Sequence, residues 1–133
     1  MATPLVPVTK AIYCCDNVVE DQSSGKIHVL GVFNAIRPPY GTAYPCRLRQ
    51  LCVFTQLIGG IGEVSLRLEV VSARDETIVY TSAEQRVRFP DRHTTMSACF
   101  RILECPFPRP GVYLVELYAQ GVFLDDRALH LLV

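Results

Sequence analysis

The chain has no tryptophan, only two methionines, and no charge of either sign in excess: Lys plus Arg and Asp plus Glu each number 13. A zero formal balance removes the long-range field that would draw in polyanions, acidic membranes or basic partners. Nucleic acid and membrane are therefore not expected partners. No run of about 18 apolar residues is present to span a bilayer. The opening MATPLVPVTK lacks a basic segment followed by an unbroken apolar one, because Pro4 and Pro7 interrupt it. No Asn-x-Ser/Thr acceptor argues for a secreted surface. These absences lead us to expect a soluble, cytoplasmic protein, in which the six cysteines act as small buried hydrophobes rather than as disulfides.

Chemical signatures are equally scarce. There is no G-x-S-x-G elbow, no phosphate-cradling glycine loop and no H-E-x-x-H, and no C-x-x-C pair. Cys46 and Cys52, like Cys99 and Cys105, would lie about 20 Å apart in extended chain, too far for a disulfide or one shared metal ion. Cys14 and Cys15 are adjacent, so on a strand they point to opposite sides. His28, His93 and His130 are isolated in the sequence. The remaining enzymatic option is a Cys/His site assembled from separate strands, for which Cys14 or Cys15 opposite His28 is the candidate. No catalytic residue and no cofactor are expected.

What is present is a globular composition, half apolar and one fifth charged over 133 residues, enough for one sizeable core. We read residues 1–133 as a single domain, with residues 1–7 a loosely ordered lead-in. Between prolines, glycines and short polar clusters the apolar residues alternate with a period of two. In EVSLRLEVV, Val64, Leu66, Leu68 and Val70 point one way and Ser65, Arg67 and Glu69 the other, with TIVYTS as the expected partner strand. TKAIYCC and KIHVLGVFNAI read as strands joined by DNVVEDQSSG. In RLRQLCVFTQLIG both faces are apolar, which predicts a central strand. QRVRFP points Val87 and Phe89 inward, and TTMSACFRI places Met96, Ala98, Phe100 and Ile102 on one face. Near the end, PRPGVYLVELYAQGVFLDDRALHLLV reads as a Pro-Gly turn, a strand burying Tyr113, Val115, Leu117 and Ala119, a tight turn at Gln120-Gly121, and a last strand or strand pair. The Gly-x-Tyr entering that strand resembles the tyrosine corner of immunoglobulin-like domains. The expectation is an all-β, immunoglobulin-like antiparallel β-sandwich of about eight or nine strands.

Two groups of residues are candidate binding sites. Asp16, Asn17, Glu20 and Asp21 in the first connection, with Asp125 and Asp126 in a C-terminal turn, supply the oxygen donors that calcium requires, provided the two turns converge. Turn residues are acidic for ordinary reasons of solvation as well. Arg86, Arg88, Arg92, His93 and Arg101 flank VRFPDRH and could form one basic face for an anionic ligand or partner, or simply a solvated strand face.

The segments CDNVVEDQSSGKIHVLGVFNAI, RQLCVFTQL, EQRVRFPD and FPRPGVYLVELYAQGVFLDDRALHL, in that order, resemble a family of small single-domain bacterial proteins of unknown function. The resemblance spans most of the chain and implies a bacterial protein of about this length; it brings no catalytic residues with it. The leading expectation is a non-enzymatic interaction or assembly module that self-associates as a homo-oligomer or binds a protein partner. The alternatives are a module for calcium, an anion or a small ligand, and an enzyme with a strand-built Cys/His site.

Overall fold

The computed structural model describes residues 4–38 and 43–133; residues 1–3 of the expected lead-in lie outside the described residues. Leu5 is tied down, exchanging backbone hydrogen bonds with Ile61 at 3.0 and 3.2 Å. Eleven strands occur among the described residues: β1 (Val8–Cys15), β2 (Asn17–Glu20), β3 (Ile27–Leu30), β4 (Ala35–Ile36), β5 (Cys46–Ile58), β6 (Gly62–Ser72), β7 (Ile78–Thr81), β8 (Gln85–Phe89), β9 (Met96–Phe107), β10 (Gly111–Ala119) and β11 (Val122–Leu131). They form a three-stranded sheet, β1-β5-β9, and a six-stranded sheet, β4-β11-β10-β6-β7, with β8 pairing the first half of β6. A separate two-stranded hairpin joins β2 and β3. The count exceeds eight or nine because Asn17–Glu20 forms a strand of its own and the KIHVLGVFNAI segment divides into β3 and β4. The pairing is also not wholly antiparallel, since β4 runs parallel to β11.

Period-two alternation decides which residues make the core. Val64, Leu66, Leu68 and Val70 of β6 and Tyr113, Val115, Leu117 and Ala119 of β10 are buried with Val87 and Phe89 of β8. They join Leu51, Val53 and Leu57 of β5 and Ala98, Phe100 and Ile102 of β9 in a single cluster between the two sheets. Strand β5 is central in its sheet, as its two apolar faces require. Near its start the alternation slips in β5 and β9 together: Arg49 and Gln50 separate Leu48 from Leu51, and Leu103 and Glu104 separate Ile102 from Cys105. Glu104 absorbs the slip with a φ of 56°. Because both strands slip, their pairing continues in register to Cys46 and Phe107.

Local chemistry sets the turns. Gln120 and Gly121 both take positive φ, 52° and 76°, the pair of conformations a two-residue hairpin needs to match strand twist. At the entrance to β10 the buried Tyr113 donates its hydroxyl proton to the Arg109 carbonyl oxygen at 2.8 Å. Its ring meets Phe107 edge-on with centroids 5.0 Å apart, so one residue fastens the turn and fills the core.

The opening of the chain is arranged differently from the expectation. Strand β1 does not pair with the KIHVLGVFNAI segment; it pairs with β5, Cys15 lying opposite Cys52. The segment DNVVEDQSSG is not a plain connection either: its Asn17–Glu20 forms β2 and pairs with β3. The excursion leaves and rejoins β1 at one point, where Asp16 N donates to Leu30 O at 2.9 Å and Phe33 N donates to Cys14 O at 3.0 Å. At that junction Gly31 has φ 67°, and a Cβ there would lie 2.2 Å from Asp16 Oδ2, so only glycine closes it without displacement.

Candidate functional site

The hairpin lies over the outer face of the three-stranded sheet. Two clamps hold it: Arg101 Nη2 donates to Asn17 Oδ1 at 3.0 Å, and Gln50 Nε2 donates to the Asp16 carbonyl at 3.0 Å. Beneath it a cavity of about 310 Å³ is walled by Val18, Glu20 and Ile27 of the hairpin and by Phe54, Ser97, Cys99 and Arg101 of the sheet. Cys15 and Cys52, both fully buried, sit on this same outer face, whereas Cys14 turns into the core. Cys15 lies opposite Cys52 and Cys99 opposite Phe54, so Cys15, Cys52 and Cys99 occupy neighbouring positions on three adjacent strands.

All six thiols are free, and the surroundings of Cys14, Cys15, Cys46, Cys99 and Cys105 favour the protonated form. Burial, reinforced by Cys15, pushes Cys14 up to about 12. Burial and the neighbouring thiols push Cys15 and Cys99 to about 11. Burial, with Cys14 beside it, pushes Cys105 to about 12. Thiols so placed are poor nucleophiles, because the thiolate is the reactive form. The pairing of Cys14 or Cys15 with His28 is corrected by the register: His28 lies opposite Val19. Its ring is exposed on the side of the hairpin away from the cavity-lining Val18 and Ile27, while Cys14 faces the core.

The acidic residues are dispersed. Asp21 caps the hairpin tip, its Oδ1 accepting from the Ser23 N–H and hydroxyl at 2.9 and 2.8 Å, and these bonds hold its carboxyl below the usual range. Asp16 packs on Gly31, Asn17 accepts from Arg101, and Glu20 faces the cavity. Asp125 and Asp126 are not in a turn: they sit within β11, opposite Leu117 and Glu116. The tight turn lies earlier, at Gln120-Gly121, and the bulge after Leu117 hides the alternation in this stretch. Among the described residues, no group of three or more His, Cys, Asp or Glu side chains is arranged to hold a metal ion.

The arginines do not share a face. Arg86 and Arg88 flank the buried Val87 on β8 of the six-stranded sheet, and Arg86 pairs with Glu63 at 3.3 Å. Arg101 belongs to the outer face of the opposite sheet. Arg92 and His93 follow Asp91, whose Oδ1 accepts from the backbone of His93 and Thr94 at 2.8 and 2.9 Å in a local turn.

The outer face of the six-stranded sheet is ordered into rows by register. Ile78, Val71, Leu114 and Ala128 lie side by side across β7, β6, β10 and β11. The next row is Thr81, Glu69, Glu116 and Asp126, and beyond it come Arg67, Tyr118 and Phe123. Arg67 stacks 4.6 Å from the Tyr118 ring centroid and approaches Glu69 at 3.5 Å. Ile78 and Phe123 are 53% and 48% exposed, so apolar surface here meets solvent. The rows escaped sequence reasoning because no single segment contains one; each needs a register between strands distant in the chain, such as β6 and β10. The thiol neighbours were missed for the same reason.

The model of DUF6941, a family of unknown function, matches residues 10–132. The chain belongs to this family. The DUF6941 match runs from within β1 past the end of β11, so it takes in both sheets and the hairpin. No curated protein matches the chain. Among solved structures, the crystal structure of beta-glucosidase from Listeria innocua in complex with gluconolactone is similar over 91% of this chain and 16% of that chain, at 11% identity and a TM-score of 0.46. No helix among the described residues is long and apolar enough to cross a membrane.

Proposed function

We propose that this DUF6941 chain is a non-enzymatic, cytoplasmic interaction module with an immunoglobulin-like sandwich fold, and that it self-associates. The observation that carries the reading is the row Ile78–Val71–Leu114–Ala128, apolar side chains aligned across four strands on the outer face, in which Ile78 is exposed, Leu114 and Ala128 are half-buried and Val71 is covered by its neighbours. Exposed apolar side chains gathered on one sheet face, here Ile78 and Phe123 beside that row, mark interaction sites. The Tyr113–Arg109 hydrogen bond supports the immunoglobulin-like part of the reading. Sedimentation velocity from about 5 to 500 μM tests self-association. The expected result is a weight-average mass rising above 14.9 kDa with concentration; a constant monomer mass across the range would overturn it.

A second reading has its own observation. The cavity under the hairpin sets Arg101 and Glu20 beside apolar Phe54, Val18 and Ile27, a combination suited to a small zwitterionic or anionic molecule. A thermal-shift screen of amino acids and small carboxylates tests it. A stabilisation lost in Arg101→Ala would favour this reading, and no shift at millimolar ligand would remove it.

A further inference from the structure

We propose that two copies of this chain meet through the outer face of the six-stranded sheet, related by a two-fold axis crossing the strands through Val71, Leu114 and Ala128. The inference rests on the self-association proposed above and names its face and symmetry.

Two identical surfaces in contact are related by a two-fold axis lying between them, and the rows decide its direction. An axis along the strands would lay each row on its own copy, setting Glu69, Glu116 and Asp126 against the same three carboxylates. Like charges face to face oppose association. An axis across the strands instead inverts each strand about the residue it passes. Centred on Ala128, it carries Asp126 to the partner's His130, and His130 to the partner's Asp126. Centred on Leu114, it lays Glu116 over Val112. Centred on Val71, it brings Glu69 to the turn that bears Arg74. The apolar row then covers itself while the acidic row meets the His130 imidazole at one end and the turn of Arg74 at the other.

Within the chain the two end groups are free to do this. Asp126 and His130 share the outer face, since the intervening Leu129 and the following Leu131 are buried in the core, and neither side chain takes a hydrogen-bond or ion-pair partner among the described residues. Moving the axis to lie between the Glu69 and Arg67 rows would pair charges too, but it would set Leu114 and Val71 against Gln120 and Ser65 and leave the apolar row uncovered. Four strands about 4.8 Å apart and some five residues deep make a footprint well below the ~800 Å² per partner of a standard interface. The dimer is accordingly weak and reversible.

The test is a charge exchange read by sedimentation velocity, with melting temperature followed in parallel. Asp126→Arg and His130→Glu alone should each weaken self-association at least tenfold, and the double variant D126R/H130E should return to within about threefold of the original. Leu114→Glu should abolish association. A second measurement needs no disruptive change: Ala128→Cys with a short bis-maleimide should give covalent dimer well above the unsubstituted chain, because the axis brings Ala128 to its own copy. If the original chain self-associates while the three disruptive variants, folded, match it, or while A128C gives no excess dimer, this face is overturned and self-association stands. A chain that stays monomeric throughout overturns both.

Discussion

Tyr113 reaches back four residues to donate its phenolic proton to the carbonyl oxygen of Arg109, and the Arg109 N–H returns a longer bond of 3.4 Å to the same hydroxyl. The turn before β10 is thus held by a side chain whose ring is already committed to the core. Tyr113→Phe keeps the ring and removes both bonds. A cost of about 1–2 kcal/mol is expected in urea denaturation, with the denaturant slope unchanged. A change within error would mean that water replaces the hydroxyl without loss.

Phe89, buried in the core, lies over Gly60 so closely that a Cβ there would come within 2.9 Å of two ring atoms. Gly60 has no positive φ to complicate the reading. Gly60→Ala should therefore cost about 1–3 kcal/mol through displacement of the ring. The double variant G60A/F89L should show a clear favourable coupling, whereas additive effects would place the cost elsewhere.

The thiols make stability sensitive to alkali. Cys14 and Cys105, raised from 9.0 to about 12 by burial, bind their protons more tightly in the folded chain than in the unfolded one. That stabilisation is complete below pH 9 and is lost as pH rises toward 12. Between pH 8 and 10 each should remove on the order of 1 kcal/mol. The melting temperature should fall over this window, and Cys105→Ala should flatten the decline even if it lowers stability at pH 7. An equal slope in the variant would show that other groups cause the loss.

The hairpin held by Arg101 covers the cavity that Cys99 lines, so loosening it should expose that thiol. Arg101→Ala removes the bond to Asn17, a partly solvated contact worth about 1 kcal/mol or less to global stability. Its larger effect should be local: faster amide exchange in residues 17–30 and several-fold faster alkylation of Cys99, with β10 and β6 unchanged. Alkylation at the original rate would indicate that packing of Val18 and Ile27 alone keeps the hairpin closed.

Much of the fold was legible because alternation is a local signal. Val64 to Val70, Tyr113 to Ala119 and the two-faced β5 each announce their burial within one segment, and Gly-x-Tyr announced the fastened turn. Partners of distant strands are not local. That β1 joins β5 follows from cores meeting in space, and nothing near Cys15 states that Cys52 lies opposite. Proximity in sequence made β1 and β3 look like a hairpin, while Asp16 and Gly31 break the chain and let β2 take that place. Asp125-Asp126 looked like a turn because paired aspartates suit turns, yet cross-strand pairing with Leu117 and Glu116 held them in β11. The candidate sites suffered most, since each was a set of residues from different strands whose register the sequence does not display.

The junction at Cys14, Asp16, Gly31 and Phe33 has a consequence for how this chain can be altered. An excursion that departs and returns at one point can change length without shifting either sheet, as a side road can be extended without moving the junction. Its exposed tip, Gln22 to Gly25, is therefore where a guest peptide can be carried for display or labelling, at little cost to the body that bears it.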